Sequence, residues 1–76
     1  MKLTTDEQAA LKVLRAYLGF PPVEPGKWLM FQSFQSFPWA SGEFMRGVNY
    51  ALERGWIEKG PKTLSYILTE EGFELL

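Results

Sequence analysis

Arg46, Asn49, Tyr50 and Arg54 follow one another at intervals of three, one and four. A helix through them carries all four on or beside one face. Those residue types suit contact with a duplex: arginine pairs with guanine through two hydrogen bonds, asparagine with adenine. A tyrosine hydroxyl and a second guanidinium can reach phosphate oxygens. Lys59 and Lys62 follow and add two ammonium groups. Glu43 and Glu53 fall on the same side of the helix and oppose an anion there.

Catalysis finds no comparable set. The chain has no histidine and no cysteine, which excludes His- or Cys-based metal sites and any histidine general base. Ser33, Ser36, Ser41 and Ser65 therefore have no imidazole to activate them. The clustered carboxylates, Asp6 and Glu7 near the start and Glu70, Glu71 and Glu74 near the end, have a sufficient explanation as helix-start and solvated charges. No glycine-rich phosphate loop occurs. The expectation is a protein that is not an enzyme and needs neither cofactor nor metal.

Eight basic residues against nine acidic ones give a net charge of −1 over 76 residues, too little for a strongly basic clamp. The distribution is uneven. Between positions 27 and 67 stand five basic residues (Lys27, Arg46, Arg54, Lys59, Lys62) and three acidic ones (Glu43, Glu53, Glu58), a local +2. Three to five phosphate contacts set a plausible ceiling, equivalent to a salt slope of about −3 to −4. Such weak binding calls for a dimer or a second domain. The chain's start turns acidic where a leader would become apolar. The longest apolar run, Trp28-Leu29-Met30-Phe31, is far short of a membrane span. A single soluble cytoplasmic domain over 1–76 is expected.

Several elements must position these residues. Thr4-x-x-Glu7 and Thr5-x-x-Gln8 match a helix-capping box. Ala10, Leu11, Leu14, Tyr17 and Leu18 then form one helical stripe, ended by Gly19 and Pro21-Pro22. The connector to Gly26 has room for one short edge strand around Val23. Phe31, Phe34 and Phe37 recur every third position and predict a second helix over 27–37, closed by Pro38. With no basic residue among them, these rings read as core rather than as stacking platforms for a single strand. Ser41 is placed to cap a third helix over 42–54 with the stripe Phe44, Met45, Val48, Ala51, Leu52, and Gly55 supplies a left-handed stop. Two runs, 56–59 and 64–68, predict a β-hairpin with Lys59 opposite Leu64 and Ile57 opposite Tyr66. Thr69 caps a last short helix.

Leu52-Glu53-Arg54-Gly55-Trp56-Ile57-Glu58-Lys59, followed by Tyr66-Ile67-Leu68-Thr69-Glu70-Glu71-Gly72, resembles the end of the third helix and the wing of winged-helix regulators. The multiple-antibiotic-resistance and phenolic-acid-responsive repressor types are the similar families. The resemblance implies an α+β winged helix: a three-helix bundle with a helix-turn-helix, a two-stranded hairpin wing and a short C-terminal helix. It implies binding of double-stranded DNA through the third helix and wing, by Arg46, Asn49, Tyr50, Arg54, Lys59 and Lys62. Some winged helices serve only as protein-interaction modules. In that alternative Trp56 and Ile67 stand together on the hairpin's outer face, with Trp39 as a further anchor for a partner or a second copy.

Overall fold

The computed structural model describes residues 5–76 as an α+β domain of four α-helices and a three-stranded antiparallel sheet. The order is α1 (Thr5–Ala16), a 3₁₀ turn (Tyr17–Gly19), β1 (Trp28–Met30), α2 (Phe31–Phe34), α3 (Glu43–Arg54), β2 (Ile57–Lys59), β3 (Ser65–Leu68) and α4 (Glu70–Glu74). The capping boxes depend on Thr4 and the Thr5 hydroxyl, which lie outside what is described.

Helix α1 packs most extensively on α3. Three meetings fix their relation: Lys12 with Glu43, the Ala9 carbonyl with Gly47, and Glu7 with Tyr50. Since α1 descends as α3 ascends, the two helices run antiparallel. The buried side of α1 is Ala9, Ala10, Val13, Leu14, Ala16 and Tyr17. Leu18 is exposed, a correction to the expected stripe. The chain tightens into 3₁₀ geometry after Ala16, and this re-aims every later side chain.

The expected helix over 27–37 is largely replaced. Residues 28–30 are extended and pair with β3, Trp28 opposite Ile67, Leu29 opposite Tyr66 and Met30 opposite Ser65. The strand therefore lies here and not around Val23. After the single turn α2, the Gln35 and Phe37 amides bond to the carbonyls of Gln32 and Phe34, three positions back. The three-residue recurrence of phenylalanine thus spans one α-helical turn, Phe31–Phe34, and the 3₁₀-type turns that follow it. Phe34 is fully buried, and Phe31 and Phe37 pack on the core's margin.

The sheet order is β1-β3-β2, so an isolated two-stranded hairpin is not what forms. Ile57 pairs with Leu68, Glu58 with Ile67 and Lys59 with Tyr66. The pairing is displaced by two residues from the expected register. A shift of two preserves which face each side chain takes, and Ile57, Tyr66 and Leu68 do point inward. Leu64 does not. It sits in the connecting loop at φ 57° and is 56 % exposed. Thr69 caps α4 as expected, its hydroxyl accepting from the Gly72 amide at 3.1 Å.

Candidate nucleic-acid interface

Helix α3 begins after Gly42, which is left-handed at φ 76°, and Ser41 makes no cap. The Glu43 side chain instead ties down the chain before the helix: its carboxylate accepts from the Ala40 amide at 3.0 Å and from Lys12 at 3.0 Å. Lys12 also donates to the Pro38 carbonyl and stands 4.9 Å above the Trp39 ring. Glu43 is therefore engaged within the fold. The Ala40 amide first, and Lys12 second, hold its carboxyl below the ordinary value.

A depressed folded pKa contributes stability that is present above the ordinary value near 4.5 and lost as pH falls through the lower folded value. Denaturation midpoints followed from about pH 6 to about pH 2 should fall more steeply in the parent chain than in Glu43→Gln. Parallel curves would show that the Glu43 bonds do not form in solution.

The buried side of α3 is Phe44, Gly47, Val48 and Ala51. Met45, expected inside, is 47 % exposed, and Leu52 is half-buried. The reason is Gly47: lacking a side chain, it lets α3 approach the α1 backbone most closely there and rotates its neighbours accordingly. Met45, Arg46, Asn49, Glu53 and Arg54 then face outward, with Tyr50 half-buried. Gly55, left-handed at φ 76°, ends the helix, as expected.

The loop between β2 and β3 is pinned from two sides. The buried Ser65 hydroxyl accepts from the Lys62 amide at 3.0 Å and donates to the Lys62 carbonyl at 2.7 Å, while the Gly60 amide bonds to the Ser65 carbonyl at 2.9 Å. From the other side the Phe31 amide bonds to the Leu64 carbonyl at 2.7 Å. These bonds hold Leu64 in its costly left-handed conformation. Strand β1, where sequence reasoning expected helix, and the first residue of α2 thus brace the lysine loop.

Between this loop and α3 runs a groove of about 410 Å³. Met45, Asn49 and Leu52 line it from the helix, Lys59 from the end of β2, and Lys62 and Leu64 from the loop. Val48 and Tyr66 also contribute, and no carboxylate lines it. Neither lysine has an ion-pair partner among the described residues.

The six sequence-derived candidates divide into two groups. Asn49, Lys59 and Lys62 meet at the groove. Arg46, Tyr50 and Arg54 lie on the opposite flank, beside the first turn of α1. There the Arg46 Nε is 3.3 Å from Asp6, the Tyr50 hydroxyl donates to Glu7 at 2.8 Å, and the Arg54 guanidinium stands 4.9 Å over the Tyr50 ring. The bond to Glu7, more than desolvation, raises the Tyr50 pKa.

Sequence reasoning passed over Met45, Leu64, Asp6 and Glu7 as members of this face. The glycine at 47 was the available signal for Met45. Nothing local marks the others, because their positions depend on contacts distant in the chain.

The three alternative anchors fare unequally. Trp39 packs on Phe44 at 5.0 Å and donates its indole N–H to the Phe34 carbonyl at 2.7 Å. Trp56 packs on Tyr50 at 5.6 Å, on the margin of the core. Ile67 stays partly open on the outer sheet face, but its cross-strand neighbours are Trp28 and Glu58 rather than Trp56. Among the described residues no helix is long and apolar enough to cross a membrane.

Compared with protein-family models, with curated proteins and with solved structures, the chain matches none, so the reading of this face rests on its own geometry.

Proposed function

We propose that this chain is a non-enzymatic winged-helix domain that binds double-stranded DNA, as part of transcriptional regulation. In this reading α3 enters the major groove with its outward side, and the loop after β2 follows the phosphate backbone. Asn49 pairs with adenine, the match that its amide geometry favours. Lys59 and Lys62 neutralise phosphates, with Arg54 and Arg46 at the flank. The observation that carries the reading is the groove itself: the outward side of α3, Lys59 at the end of β2 and Lys62 in the braced loop after it flank one channel free of carboxylates. Glu43, the acid at the start of α3, is engaged by Lys12 and the Ala40 amide.

Titration of the protein with random-sequence duplex at low salt tests it. Amide shifts should move at 45–54 and 59–64, and the logarithmic salt slope should be about −3, for roughly three neutralised phosphates. Lys59→Glu combined with Lys62→Glu should weaken binding at least about tenfold, since reversal replaces attraction by repulsion. An unaffected spectrum at low salt overturns the reading.

A second reading has one observation in its favour. Trp28, 40 % exposed, and Met30 leave apolar surface beside Ile67 on the outer side of the sheet. That face suits a protein partner or a second copy, and sedimentation that shifts with concentration and is reset by Trp28→Ser would support it.

A further inference from the structure

We propose that the first turn of α1 is an intramolecular competitor for duplex, with Asp6 and Glu7 occupying the groups on α3 that would otherwise hold phosphate. The inference rests on the DNA-binding reading and adds a regulatory contact to it. Of the six candidate contacts, two are already bound to carboxylates, and both carboxylates come from adjacent positions on one turn. The Arg46 Nε faces the Asp6 carboxylate at 3.3 Å, and the Tyr50 hydroxyl donates to Glu7 at 2.8 Å.

A carboxylate oxygen and a phosphate oxygen ask the same of a guanidinium or a phenol: an anionic acceptor at hydrogen-bond distance. Asp6 therefore stands where a backbone phosphate would sit. The Asp6–Arg46 pair is open to water, with side chains 56 % and 45 % exposed. Pairs so placed are weak and exchange readily, so phosphate can displace the carboxylate at modest cost. The Glu7–Tyr50 bond is partly sheltered and holds more firmly. Arg54, stacked on the Tyr50 ring, is held in the same cluster. The arrangement lowers affinity for any duplex uniformly, and more so at low salt, where the internal pairs are strongest.

The test compares duplex affinity of the full chain with that of Asp6→Asn/Glu7→Gln, and with Glu70→Gln/Glu71→Gln, which removes the same charge from α4. The first pair should tighten binding about three- to tenfold and steepen the salt slope by about one unit, for the phosphate that Arg46 gains. The α4 pair should change affinity less than about twofold and leave the slope alone. In an Arg46→Ala/Tyr50→Phe background the gain from the α1 pair should vanish. Amide spectra confirm that each variant is folded, and Asp6→Asn alone serves if the double change weakens the start of α1 too far. Equal gains from both acid pairs, or a gain that persists without Arg46 and Tyr50, overturn the inference while the DNA-binding reading stands. If no variant responds to duplex, both fall together.

Discussion

Truncating Phe34 to alanine is expected to remove a large share of the domain's stability. The ring is fully buried, and it meets Tyr17 at 5.7 Å, Phe44 at 5.2 Å and Tyr66 at 6.2 Å between centroids. It therefore joins α1's end, α3 and β3 at one point. Loss of a buried phenylalanine costs about 3–5 kcal/mol, as transfer energy and as the cavity left behind. A chain of 76 residues holds about 4–11 kcal/mol in total. Collapse around the gap is hindered, because the Phe34 carbonyl also accepts the Trp39 indole N–H at 2.7 Å and fixes the backbone there. Urea unfolding should show the midpoint reduced by several molar, given a slope near 1 kcal/mol per molar for so small a domain. Phe37→Ala, at the margin of the core, provides the comparison and should cost about 1–2 kcal/mol. Equal losses at the two positions would show that Phe34 is not the meeting point described.

Phe34 also shows how far the sequence could be read. Its burial and its helical turn followed from the spacing of the three phenylalanines, but the bounds of that helix did not. The recurrence at Phe31, Phe34 and Phe37 predicts a helix that reaches back over 28–30, but Trp28, Leu29, Met30 and Phe31 form an unbroken apolar run with no period of its own. What makes 28–30 a strand is the exposed edge of β3, a partner more than thirty residues away. The elements legible in advance were those with local causes. Helix α3 has its buried stripe and its glycine stop, α4 has its threonine cap, and the return of β3 on β2 has its inward Ile57, Tyr66 and Leu68.

The candidate site divides along the same line. The outward placement of Arg46, Asn49 and Arg54 follows from helical periodicity within α3 alone. The separation of Arg46, Tyr50 and Arg54 from the lysine loop does not. It depends on where α1's first turn lies across α3 and on where β1 anchors the loop. Read as a sequence, Asp6 and Glu7 were helix-start charges. Placed in three dimensions they keep that role and acquire a second, opposite Arg46 and Tyr50.

Gly47→Ala is expected to lower stability by about 2–3 kcal/mol, although alanine is the better helix former. A Cβ at 47 would stand 2.5 Å from the Ala9 carbonyl oxygen, 2.6 Å from its carbon and 3.0 Å from the Ala10 nitrogen. All three are backbone atoms of α1, so no side chain can rotate aside and the helices must separate. The intrinsic gain of alanine over glycine is about 1 kcal/mol. Overpacking against fixed neighbours costs about 1–3 kcal/mol, and more where backbone must shift; here the second effect wins. Separation also loosens the contacts that flank the glycine, Lys12 with Glu43 on one side and Glu7 with Tyr50 on the other. The variant should therefore show a reduced urea midpoint together with shifted amides at 43–50. Asn49→Ala, on the exposed side of the same helix, should stay within about 0.5 kcal/mol of the parent. A Gly47→Ala chain at least as stable as the parent would mean that α1 and α3 do not approach this closely, and the arrangement of the whole outward face would have to be redrawn.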